Sequence, residues 1–137
     1  MAVIKELIRK EADGKLSFGN YELPKKTKVE DFDFEGDLYK VKTFNEITKL
    51  EKNGLFLYES VPGTAVTGFK ETGDGVEFNV EAAEDVQITL GLEDEKLYEI
   101  FIGGVSTGAV QTGLGGKLSI SVETGNADAV SVKVVKA

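Results

Sequence analysis

The sequence predicts an all-β protein whose C-terminal half is an antiparallel β-sandwich, immunoglobulin- or fibronectin-III-like, preceded by a smaller β-rich N-terminal part. Three observations predict it. Apolar and polar residues alternate along successive segments of the second half. Glycine-containing turn pairs recur between apolar segments through the whole chain. The chain has 137 residues, 41% hydrophobic and 29% charged, which is enough to bury a core without covalent staples.

The alternation is clearest in residues 63–137. Val76, Phe78 and Val80 alternate with Glu77, Asn79 and Glu81; Val86, Ile88, Leu90 and Leu92 alternate with Gln87, Thr89 and Gly91. Tyr98, Ile100 and Ile102 keep the same period, as do Leu118, Ile120 and Val122, and then Val130, Val132 and Val134. A strand puts every second side chain on one face, so each segment has an apolar face that a second sheet must cover. About seven strands fit this region, with Phe78, Ile88, Ile100, Ile120 and Val132 inside. Ala129-Val130-Ser131-Val132-Lys133-Val134-Val135 carries one charge and is rich in β-branched residues, so as an edge strand it needs a covering strand or subunit.

Turn chemistry is carried by Asp13-Gly14, Glu35-Gly36, Asn53-Gly54, Asp74-Gly75, Gly103-Gly104, Gly115-Gly116 and Gly125-Asn126, pairs that supply the positive φ of tight hairpins. Residues 1–62 form the N-terminal part, and Pro62-Gly63 marks its boundary with the sandwich. Within it, Phe32 and Phe34 alternate with Asp31 and Asp33, and Tyr39 and Val41 suggest the partner strand. Leu55-Phe56-Leu57-Tyr58 is apolar on both faces, which predicts burial on both sides. Residues 2–10 and 44–52 read as strand or as short helix. Val3, Ile4, Leu7 and Ile8 have helical spacing, and Thr43-Phe44-Asn45-Glu46 matches a capping box. The β neighbours favour strand for both.

Composition narrows function by exclusion. Without cysteine or histidine there is no disulfide, thiolate nucleophile, imidazole base or ordinary zinc site. Arg9 is the one arginine, so no guanidinium cluster clamps an anion. A net charge of −8 argues against nucleic acid and anionic membranes as partners; the basic cluster Lys25-Lys26-Thr27-Lys28 reads as a solvated loop. No segment reaches the ~18 apolar residues of a membrane span, and charges at Lys5, Glu6, Arg9 and Lys10 break any signal-peptide pattern; a cytoplasmic protein is expected.

Candidate motifs fail on their chemistry. Asp31-Phe32-Asp33-Phe34-Glu35-Gly36-Asp37 starts like a calcium loop, but Lys42 stands where the bidentate glutamate belongs, so a plain acidic strand is expected. Gly63-Thr64-Ala65-Val66-Thr67-Gly68-Phe69-Lys70 lacks the Gly-Lys-Ser/Thr ending of a phosphate loop. Gly113-Leu114-Gly115-Gly116 reads as a hairpin turn, and Glu93-Asp94-Glu95 as a solvated loop. Tyr21, Tyr39, Tyr58 and Tyr98 read first as packing residues and second as platforms for sugars. No catalytic, cofactor-binding or metal-binding residue is assigned.

Phe18-Gly19-Asn20-Tyr21-Glu22-Leu23, Asp37-Leu38-Tyr39-Lys40-Val41-Lys42-Thr43-Phe44 and Leu57-Tyr58-Glu59-Ser60-Val61-Pro62-Gly63-Thr64-Ala65 resemble a family of short bacterial proteins labelled endosialidase or endosialidase-like, over nearly the whole chain. Tyr98–Gly104 and Gly116–Val122 are also similar to accessory β-sandwich modules of polysaccharide-active enzymes. The resemblance implies a small β protein and carries over no catalytic residue. Sialidases hold the sialic carboxylate with three arginines and carry a tryptophan-containing aspartate box, whereas this chain has only Arg9 and no tryptophan. The expected role is therefore a non-enzymatic structural or interaction protein that self-associates. A carbohydrate-binding module is the alternative. A carboxylate-dependent glycan hydrolase is disfavoured, because with 24 acidic residues a chance pair at catalytic spacing carries no information.

Overall fold

The structure, a computed structural model, describes residues 3–124 and 129–137. The described residues form thirteen strands and no helix: β1 Ile8–Lys10, β2 Leu16–Phe18, β3 Thr27–Phe34, β4 Asp37–Thr43, β5 Thr48–Lys52, β6 Leu55–Val61, β7 Ala65–Thr72, β8 Gly75–Glu81, β9 Val86–Gly91, β10 Leu97–Ile102, β11 Val105–Gln111, β12 Lys117–Val122 and β13 Val130–Lys136. Neither ambiguous segment is helical over its described residues, 3–10 and 44–52: residues 5–7 turn into β1, and the capping-box residues lead into β5; Ala2 lies outside the described residues. The Gly125-Asn126 turn lies outside the described residues.

The strands build two antiparallel sheets that pack as a sandwich. One has seven strands in the order β1-β2-β7-β8-β13-β10-β11, and the other six in the order β12-β9-β6-β5-β4-β3. The turn pairs work as their chemistry dictates. Glu35-Gly36, Asn53-Gly54 and Gly103-Gly104 hold both central residues at positive φ, the geometry of type I′ turns, and join β3–β4, β5–β6 and β10–β11.

Both sheets draw strands from either side of Pro62-Gly63. β2 pairs with β7, and β6 pairs with β9. The point chosen from sequence as a boundary is thus a chain reversal between the sheets, and one core runs through both halves. The seven strands from β7 to β13 divide five and two between the sheets, whereas an immunoglobulin-type domain divides its seven four and three.

Phe78, Ile88, Ile100, Ile120 and Val132 are all buried. At the centre, Tyr58 of the six-stranded sheet meets Phe18 and Phe78 of the other edge-on, at ring-centroid distances of 5.2 and 5.7 Å; Phe69 joins Phe18 at 5.5 Å. Such edge-to-face pairs add about 0.5–1.5 kcal/mol each beyond the area they bury.

Two expectations are corrected. The last strand is not an edge: β13 lies between β8 and β10, paired along its length with both, so its β-branched residues are covered within the chain. The segment Leu55–Tyr58 is not buried on both faces. Leu55 is exposed, and Leu57 and Tyr58 are both buried because the β5–β6 register shifts between Leu50 and Glu51. That bulge places two consecutive residues on the core side.

Candidate functional site

A sandwich of this kind leaves four strand edges, and three of them carry charged residues. β3 carries Lys28, Glu30, Asp31 and Asp33, and bulges between Val29 and Phe32 with Asp31 at φ 58°. β1 is three residues long and ends on Arg9 and Lys10. β12 begins with Lys117 and turns its apolar residues inward. Charge, brevity and bulges are how β proteins discourage edge-to-edge pairing.

β11 has none of these charges. Val105-Ser106-Thr107-Gly108-Ala109-Val110-Gln111 is exposed at every position. From Ile100 to Gly116 the chain has no charged residue, the longest such run in the sequence. The register sets Val105 opposite Ile102 and Val110 opposite Tyr98, so both valines lie on the core side of their sheet. They remain 67% and 45% exposed because the six-stranded sheet ends at β12 and leaves them uncovered. Leu114, in the turn that follows, is 86% exposed.

The β10–β11 arm is held at both ends. At its base the buried Thr112 hydroxyl donates to the Glu93 carbonyl at 2.6 Å and accepts from the Lys96 amide at 3.0 Å, while the Thr112 amide donates to the Lys96 carbonyl. At its tip the Gly103 amide donates to the Ser131 carbonyl at 2.8 Å. The strand is irregular once: its register against β10 shifts beside Thr107, and Gly108 sits at φ 113° with open space where a side chain would be.

The densest polar constellation is buried and structural. Thr48 Oγ1 accepts from the Thr64 amide at 3.0 Å and donates to the Thr64 carbonyl at 3.1 Å. Its single hydrogen is thereby used, so in the 2.8 Å contact between Thr43 and Thr48 the Thr43 hydroxyl is the donor. Thr43 Oγ1 in turn accepts from the Asn20 amide at 2.9 Å. On the other side Thr64 Oγ1 bonds Tyr58 and Ser60 at 2.8 and 2.9 Å. The cluster ties residues 20, 43–48 and 58–64 together and reaches no cleft: Thr43, Thr48, Tyr58, Ser60 and Thr64 are fully buried. Burial raises the pKa of the Tyr58 phenol, against its hydroxyl partners Thr64 and Ser60, which keeps it neutral.

The outer face of the seven-stranded sheet carries a shallow depression of about 410 Å³ lined by Lys15, Glu77, Asn79, Phe101, Ser131 and Lys133. The β7 bulge at Gly68 and the turn at Gly104 leave it open.

The residues singled out in the sequence fall elsewhere. All four tyrosines are buried, so none is a surface platform. Asp31 to Asp37 runs along β3 into β4, with Asp31 and Asp33 exposed and Asp37 accepting from Asn53 Nδ2 at 2.9 Å. Gly63 to Lys70 is a short loop entering β7. Glu93, in the β9–β10 loop, pairs with Lys136 at 2.6 Å, which holds its carboxyl below the usual range. Among the described residues no group of three or more acidic side chains is arranged to hold a metal ion, and no helix is long and apolar enough to cross a membrane. The β11 edge was missed in the alternation because it is polar and glycine-broken; the uncharged run around it was the available signal. No family model, curated protein or solved structure matches this chain.

Proposed function

We propose that this chain is a non-enzymatic structural or interaction protein that works by accepting a β-strand at the β11 edge. One observation carries the reading: in a chain with 29% charged residues, the edge strand that is exposed throughout is also the one with no charge along it. An added strand uses the open N–H and C=O groups of β11 for affinity, and the uncovered Val105 and Val110 for packing. The resemblance to endosialidase-like proteins is compatible with this role and supplies no catalytic set, since Arg9 stands alone. A chain without cysteine suits a reducing cytoplasm.

The test is amide hydrogen exchange with a synthetic peptide spanning Gly104–Thr112. Strand addition slows exchange of amides in residues 105–111 and leaves β3 unchanged. Unchanged exchange at millimolar peptide refutes the reading.

A second reading, carbohydrate binding, is favoured by the depression where the half-buried Phe101 ring lies beside Asn79, Ser131 and Lys133. Binding on a glycan array that disappears with Phe101→Ala supports it. An array without signal removes it.

A further inference from the structure

We infer that the depression on the outer face of the seven-stranded sheet binds an acidic oligosaccharide, one whose sugars carry carboxylates of the uronic acid kind, laid across the strands from Phe101 to Lys15. The inference rests on the carbohydrate reading of that depression and names the class of sugar.

Three observations carry it. The first is that the polar groups there are unused. The side chains of Lys15, Glu77, Asn79, Ser131 and Lys133 line one hollow, and none makes a hydrogen bond or ion pair with another described residue. The outer face of the six-stranded sheet is the opposite case. There Thr89 bonds Ser119 at 3.1 Å, Gln87 donates to Ser121 at 2.5 Å, Lys28 and Lys40 share Glu30, and Lys49 pairs with Glu51. Side chains that satisfy one another offer a ligand little, whereas a few open polar groups converging beside an apolar ring fix its position.

The second is charge. Two lysines and one glutamate line the hollow, a local charge of +1 on a chain that carries −8. Glu77 is opposed in register by Lys133 on one side and Lys70 on the other, so its own negative charge is offset. At ~0.15 M salt, charges more than about 8 Å away are largely screened, and a bound anion feels the two lysines more than the acidic body. A lysine meets a carboxylate as a point charge with three donors.

The third is shape. Gly68 lies in the β7 bulge at φ 64°, and a side chain there would meet Asn79 Nδ2 at 3.6 Å and Lys15 Cδ at 3.8 Å. The Lys15 stem therefore lies over the bulge beside Asn79, at one end of the hollow. Phe101 and Lys133, opposite each other in register, form the other end. From β7 to β10 there are three strand spacings, about 14 Å, which is wider than one sugar ring. Phe101 takes the apolar face of one sugar, Asn79, Ser131 and Glu77 bond hydroxyls, and Lys133 and Lys15 pair with carboxylates on separate sugars.

The test is an NMR titration of the full chain with trigalacturonate, its methyl ester and a tri-glutamate peptide. The ester keeps the sugar and removes the charge, and the peptide keeps the charge and removes the sugar. Trigalacturonate should shift the amides of residues 77–79, 101 and 131–133 and leave β3 unchanged, with an affinity about tenfold above that of either control. Lys15→Gln and Lys133→Gln should each weaken it about tenfold and leave the ester as it was, which a misfolded variant would not do. Phe101→Ala should weaken acid and ester alike. Added salt should weaken the acid only.

Equal binding of acid and ester, or an acid affinity indifferent to both lysines, overturns the inference and leaves the carbohydrate reading standing. Equal binding of tri-glutamate and trigalacturonate overturns it too, since the hollow would then recognise charge without sugar. Shifts outside the depression, or none with trigalacturonate at millimolar concentration, also overturn it. A glycan array without signal is the separate failure of the carbohydrate reading itself.

Discussion

Replacing Thr48 with valine keeps the shape of the side chain and removes one hydroxyl that makes three buried bonds. The Thr64 amide loses its 3.0 Å acceptor, the Thr43 hydroxyl loses its 2.8 Å acceptor, and the Thr64 carbonyl loses a donor at 3.1 Å. Thr43, Thr48 and Thr64 have no exposed surface, so water does not replace these partners without opening the structure. Each buried donor left unsatisfied costs about 1–3 kcal/mol. With two donors orphaned, Thr48→Val should lower stability by about 2–5 kcal/mol, a large part of the ~5–15 kcal/mol typical of a domain. Thr48→Ser keeps the hydroxyl and loses only a methyl group, at a cost of about 1 kcal/mol. Urea unfolding at neutral pH measures both, provided the slope with denaturant stays constant across the variants. A Thr48→Val cost under about 0.5 kcal/mol, or a Thr48→Ser cost as large as that of valine, would refute the assignment of stability to this hydroxyl.

Other expectations follow from the same packing. Ile100→Ala empties a site that is 4% exposed beneath β10 and should cost about 2–5 kcal/mol by urea unfolding. Gly63→Ala drives a methyl group into the Phe44 carbonyl oxygen, so it should destabilise by about 1–3 kcal/mol or prevent folding, read as a lowered melting temperature. Stability should fall as pH rises above about 10, the ordinary tyrosine value. Burial pushes the Tyr39 phenol up to about 12, against the nearby Lys52 charge, and burial raises Tyr58 as well. The folded state then holds protons that the unfolded chain releases, so stability is intact below the unfolded value and is lost as pH climbs toward the folded one. Tyr39→Phe should flatten that decline in urea midpoints between about pH 9 and 11; an unchanged slope would show that the ring is not shielded.

Much of the fold was legible because period-two alternation is a local signal. Phe78, Ile88, Ile100, Ile120 and Val132 could be placed inside from their neighbours alone. The same period marks Thr43 after Tyr39 and Val41, Thr48 before Leu50, and Ser60 after Tyr58 as inward positions. These were passed over because polar residues suggest an outer face, and their partners come from distant segments. Topology was not legible. Nothing local to Val130–Lys136 says that it enters between β8 and β10, since both pairings are long-range. The bulge at Leu57 was hidden in an unbroken apolar run, where two inward neighbours and a two-sided strand look alike. The β11 edge was readable only as a lack of charge, a signal that acquires meaning once the strand is known to be an edge.

The insertion of β13 has a consequence for damaged or shortened chains. Without it, the seven-stranded sheet falls into two separate pieces, β1-β2-β7-β8 and β10-β11. The inner sides of β8 and β10 then become open templates, rich in Val76, Phe78, Val80, Tyr98 and Ile100. A chain cut between Val122 and Val130 thus keeps twelve of its thirteen described strands and gains two adhesive ones. Such fragments should aggregate more readily than the intact chain, which light scattering measures. The continuity of the seven-stranded sheet therefore depends on its β13 strand.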